Sequence, residues 1–163
     1  MIYGAIDEKS RRCYTYLKEI FDAISNKQME YNWLITDSEI YTSVEELSRL
    51  ETADYSFISG EELTEIVTND DSQWIWGVLS GFDKCIPKEE ILKYPLPKAD
   101  GYPGFWKNPL TIQHELASIE IVPFDSYLVL LFSKEKEIVD CFRKAFPKSR
   151  DLSEYNTEVE LQS

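Results

Sequence analysis

Adjacent carboxylates are the main chemical equipment of this sequence: Glu45-Glu46, Glu61-Glu62, Asp70-Asp71 and Glu89-Glu90. Two carboxyl groups facing each other across a cleft, one with a raised pKa, would serve glycoside-type hydrolysis. Neighbours on a helix do not face each other in that way, so the pairs read as solvated surface. Asp70-Asp71 stands apart because it closes an acidic helix just before an apolar strand. The single histidine, His114, reads as a packed side chain on a short helix that also carries Leu110 and Ala117. No GxSxG elbow, P-loop or GxGxxG pattern is present. Cys13, Cys85 and Cys141 are widely spaced and form no CxxC, which points away from zinc and redox chemistry. Cys85, in FDKCIPK, has nothing local to stabilise a thiolate. A calcium loop of the DxDxDG type is also absent. The sequence therefore predicts no catalytic residue, no metal and no cofactor, and a chain that acts by binding.

The elements that must position these residues follow from hydrophobic spacing. IYGAI (2–6) predicts a first strand. Cys13, Leu17, Ile20, Phe21 and Ile24 share one face of a helix over 10–25. YNWLITDSEIYTS (31–43) predicts two short strands around a turn at Asp37-Ser38. SVEEL and SGEEL repeat the capping-box pattern, Ser43 with Glu46 and Ser59 with Glu62, with a strand DYSFIS between them. QWIWGVLSGF (73–82) has the continuous apolar character of a strand covered on both faces. PKEEILKYP (87–95) predicts a helix bounded by two prolines, and Asn108-Pro109 predicts the start of a helix over LTIQHELA. SIEIVPFDSYLVLLFS (118–133) predicts a hairpin turning near Phe124-Asp125-Ser126, and KEKEIVDCFRKAF (134–146) a helix with acids first and bases last. These interleaved elements predict an α+β fold: one globular domain over 1–150, a mixed and largely antiparallel sheet with helices packed on it. Residues 151–163 hold four acids and no base and predict a flexible acidic tail.

Charge is the strongest functional signal. The net charge is −13, and residues 37–71 alone hold eleven acids and one base, Arg49. Such crowding opposes compactness, whereas charge needed only for solubility can be spread. A surface of this sign repels nucleic acid and anionic membranes and favours a basic protein partner or none. No apolar run reaches the length of a membrane span, and MIYGAIDEKSRR lacks signal-peptide order, so a cytoplasmic location is expected. The predicted docking face comprises Glu45, Glu46, Glu61, Glu62, Glu65, Asp70 and Asp71.

Residues 100–109, DGYPGFWKNP, combine two glycines and two prolines with Tyr102, Phe105 and Trp106. The rings either plug the protein's own core or form the centre of an interface, where such residues are enriched. On the second reading all three join the docking face.

Stretches such as YNWLITDSEIY, FISGEEL and SYLVLLFSKEKEIVDCFRKAF, with the isoelectric point near 4.5, give a chain that resembles small acidic immunity proteins of contact-dependent growth inhibition and related bacterial toxin loci. The resemblance lies in overall layout and assigns no role to any residue. It implies a cognate toxin encoded beside this gene, an RNA-cleaving one such as a tRNase, blocked stoichiometrically by an acidic surface. The alternatives are a carboxylate-dependent hydrolase, with the aromatic loop as a sugar-stacking platform, and a non-catalytic regulatory binding protein.

Overall fold

The computed structural model describes residues 1–8 and 15–163. Its frame is one antiparallel sheet in the order β4-β3-β5-β6-β7-β1-β8, with β2 paired to β5 off that path. The strands are β1 (Tyr3–Asp7), β2 (Thr15–Tyr16), β3 (Tyr31–Tyr41), β4 (Tyr55–Ser59), β5 (Gln73–Asp83), β6 (Ile119–Phe124), β7 (Leu128–Ser133) and β8 (Arg150–Asp151). The helices are α1 (Leu17–Ala23), α2 (Glu45–Thr52), α3 (Gly60–Asn69), α4 (Lys88–Ile91), α5 (Lys136–Ala145) and α6 (Leu152–Gln162). The expected α+β class, a sheet with helices packed on it in a single domain, is what forms.

Both faces of the sheet are buried, which explains the unbroken apolar runs of β5 and β7. Strand alternation sends Trp33, Ile35, Leu79, Ile121 and Leu131 to one face, where α1, α2, α3 and α5 close over them. Ile6, Val78, Val122, Leu130 and Phe132 point the other way, under the long connection from β5 to β6 and α6.

Several elements depart from the sequence expectations, each for a local reason. The helix expected from residue 10 begins at Leu17, because Thr15 and Tyr16 pair with Trp74 and Gln73 instead; Cys13 lies outside the described residues. The two strands expected over 31–43 are one strand, β3, with register shifts between Thr36 and Ile40. Asp37 takes a left-handed φ of 50° there, which its short polar side chain tolerates, and its carboxylate accepts the Ala99 N–H at 2.8 Å. The chain therefore bulges where a reversal was expected. Ser43 caps nothing: α2 starts after Val44, and Thr42 Oγ1 accepts the Val44 N–H at 3.0 Å. Ser59 does cap α3, accepting the Glu62 N–H at 3.1 Å.

Residues 110–117 form no helix. Asn108 does not cap; its amide donates to Ser153 O at 2.9 Å and Thr157 Oγ1 at 3.0 Å. Gln113 clasps the main chain of Lys98, accepting its N–H at 2.8 Å and donating to its carbonyl at 2.9 Å, and the chain then closes a turn in which the Ala117 N–H donates to His114 O at 3.1 Å. The segment expected as a flexible tail forms α6. Asp151 caps it by accepting the Glu154 N–H, Leu152 is buried, and the buried Asn156 amide donates to Phe105 O at 3.1 Å. The hairpin expected near Phe124-Asp125-Ser126 forms as a three-residue connection, Asp125 to Tyr127, between the paired Phe124 and Leu128; Phe124 itself ends β6, and Asp125 and Ser126 take positive φ.

Gly60 fixes where α3 begins. A Cβ at this position would lie 2.1 Å from Gln28 O and 2.7 Å from Tyr31 O, so only glycine allows the helix start to sit against the turn before β3. Gly60→Ala is expected to lower stability by about 2 kcal/mol, measured by urea unfolding; an unchanged midpoint would contradict this account of α3 placement.

A candidate docking groove

The acidic stretch folds into two helices flanking the edge strand β4. On α3, Leu63 and Val67 face the core, which leaves Glu62, Glu65 and Asn69 on an adjacent face at helical spacing. On α2, Leu47 and Leu50 face inward and Glu46 and Arg49 face α3. Between the helices runs a groove of about 600 Å³, floored by Val44, Leu50, Ile58 and Ile66 and edged by four acids, Glu46, Glu62, Glu65 and Asp70, together with Arg49 and Asn69. A second hollow of about 360 Å³ shares Val44 and Asp70 with it and extends the depression to Tyr41.

Four of the seven predicted acids thus converge, and three do not. Glu45 is exposed on α2 outside the groove lining. Glu61 pairs with Lys84, whose hydrogen bond holds the Glu61 carboxyl below its ordinary value. Asp71 turns toward the start of α1 and accepts the Lys18 N–H at 3.5 Å.

The aromatic loop lies on the opposite face of the sheet from this groove, among Ile6, Val78, Phe132 and Leu152. Phe105 is 0% exposed, with Tyr102 edge-on at 4.8 Å and Phe132 at 5.9 Å between ring centroids. Trp106 is half-buried against Phe124 at 5.3 Å and Tyr155 at 6.2 Å. The rings plug the core, and the interface reading of Phe105 is corrected: no partner can reach it without opening the domain. Tyr102 and Trp106 cannot share one docking face with the acidic groove, because the sheet separates them.

Sequence reasoning missed the aromatic residue beside the groove. Tyr41, at the end of β3, is 76% exposed. Its signal in the sequence was weak, since a tyrosine closing a strand is ordinary strand composition.

His114 is buried and neutral. Its Nδ1 accepts the Leu116 N–H at 3.2 Å, so Nε2–H donates to Ile91 O at 2.9 Å, and burial pulls its pKa below the ordinary value. Cys85 is exposed, but its hydrogen bond to the Asp83 carboxylate pushes the thiol up, away from thiolate reactivity.

Glu120 is a carboxyl that nothing in the sequence singled out. It is sealed within β6 opposite Ser80 and Phe132, and burial pushes its pKa up to about 8. The Gln113 N–H donates to Oε2 at 3.1 Å, whereas Oε1 and Ser80 Oγ find no protein partner.

Among the described residues, no group of three His, Cys, Asp or Glu side chains is placed to hold a metal ion. No helix among them is long and apolar enough to cross a membrane. Comparison with known protein families, with curated proteins and with solved structures finds no match.

Proposed function

We propose that this chain is an immunity protein: a cytoplasmic, non-catalytic inhibitor that binds a basic toxin domain, an RNA-cleaving nuclease, through the acidic groove between α2 and α3. The observation that carries this reading is the convergence of Glu46, Glu62, Glu65 and Asp70 around an apolar floor. A nuclease presents cationic groups to bind phosphate, and a groove of clustered carboxylates attracts the same groups. The apolar floor supplies the burial that slows dissociation once the charges have brought the partners together.

A hydrolase would require facing carboxyl groups in a cleft, at least one with a raised pKa. The carboxyl so raised, Glu120, is fully buried on the sheet face turned away from the groove. Docking is therefore the reading that the geometry supports better.

The test is co-expression with the product of the adjacent upstream gene, followed by a pull-down and a growth assay. The expected result is that the neighbour is lethal alone, binds this chain and is tolerated in its presence. A neighbour that neither binds nor harms would remove the immunity reading.

A further inference from the structure

The groove has the chemistry of a site for one kind of segment. Its floor is apolar along Val44, Ile58 and Ile66, and acids stand on both sides, Glu46 beside the single cation Arg49 on α2 and Glu62 and Glu65 on α3, so acids outnumber the base along the rims. A helix laid between two helices buries one apolar stripe and turns its flanks toward both rims. Basic residues on those flanks complement the rims, whereas a purely basic extended strand would leave the floor uncovered. The length of α3, ten residues or about 15 Å, matches two to three turns of a bound helix. At one end the groove passes Asp70 and opens to Tyr41, an aromatic face held in solvent. A guanidinium stacks on such a ring and offers its donors to a carboxylate beside it, a combination that an ammonium matches less well.

Building on the docking reading, we propose that the α2–α3 groove receives a short basic amphipathic helix of the protein partner, with an arginine of that helix stacked on Tyr41 beside Asp70. Tyr41 is then the specificity-determining anchor, and the aromatic loop of residues 100–109 takes no part.

The probe is a synthetic Leu/Arg peptide of about 14 residues, long enough to form an amphipathic helix. A scrambled control has the same composition and charge but no apolar stripe. Binding to the full chain is followed by ¹⁵N chemical-shift mapping at ~0.15 M salt. The expected result is about tenfold tighter binding of the amphipathic peptide, with shifts centred on Tyr41, Ile58 and Ile66. Tyr41→Ala is expected to weaken the amphipathic peptide about fivefold, and Tyr41→Phe, which keeps the ring, to restore affinity. The exposure of Tyr41 keeps either variant from disturbing the fold.

Equal affinity for the two peptides would overturn the proposal and leave steering by charge, and hence the docking reading, intact. Shifts mapping away from the groove, no binding by either peptide, or a Tyr41→Ala variant that binds like wild type would also overturn it. The docking reading is judged separately by the co-expression result.

Discussion

Phe105→Ala is expected to destabilise the domain by about 4 kcal/mol, the largest single effect anticipated in the aromatic loop. Phe105 sits on a 3₁₀ turn over Pro103–Trp106 and inserts between Tyr102, Phe124 and Phe132 with no solvent exposure. Removing the ring leaves a cavity in the layer that joins the sheet to α6. The backbone cannot readily collapse into that cavity, because Phe105 O is bonded to the Asn156 amide. The aromatic contacts add to the loss beyond the buried area. Urea unfolding checks the magnitude. A variant as stable as wild type but deficient in partner binding would show instead that the ring serves an interface. Trp106→Ala is expected to follow the same direction with a smaller effect, since Trp106 is half-buried.

Glu120→Gln is expected to stabilise the domain by about 4 kcal/mol at pH 8 and to have little effect near pH 4. In the unfolded chain this carboxyl ionises near 4.5; in the folded domain burial holds its proton up to about 8. The folded state therefore binds more protons between those values, and stability falls as pH rises from about 4.5 to about 8. The contribution is whole below the unfolded pKa and gone above the folded one. Glutamine removes the titration and keeps an oxygen to accept the Gln113 N–H. Urea midpoints of both proteins across this range test the point: converging curves at acid pH and diverging curves at alkaline pH are expected, and parallel curves would contradict it. His114 acts at the opposite end. Its lowered pKa makes the unfolded state the better proton acceptor around pH 6.5, so stability also falls on acidification through that region.

The parts of the fold legible in the sequence are those set by local pattern. The unbroken apolar run LVLLFS is a strand buried on both faces, and Ser59 caps the helix that its capping box announces. The acidic surplus of residues 37–71 marks the segment that lines the groove. What could not be read depends on partners distant in sequence. Asp37 makes a bulge because its carboxylate meets the Ala99 and Asp100 N–H groups, 62 and 63 residues away. LTIQHELA has helical spacing but loses its helix to the clasp between Gln113 and Lys98. The last segment is polar enough to pass for a tail, yet Leu152 and Asn156 are enough to dock it, one by apolar burial and one by a hydrogen bond to Phe105. Which of the seven acids share one face was equally hidden, because Glu61 and Asp71 are turned aside by Lys84 and by the start of α1. Tyr41 could not be separated from nine other tyrosines without knowing which rings the fold buries.

The most direct test of the docking groove is the association rate between this chain and the basic toxin domain proposed as its partner, measured by stopped flow over a range of salt. Wild type is compared with a variant carrying Glu46→Lys, Glu62→Lys and Glu65→Lys, three exposed changes that leave the core untouched. The groove account predicts a wild-type rate that falls steeply with salt and a variant at least ~10-fold slower at low salt, with the difference shrinking as screening increases. Equal, salt-independent rates for the two proteins would contradict it.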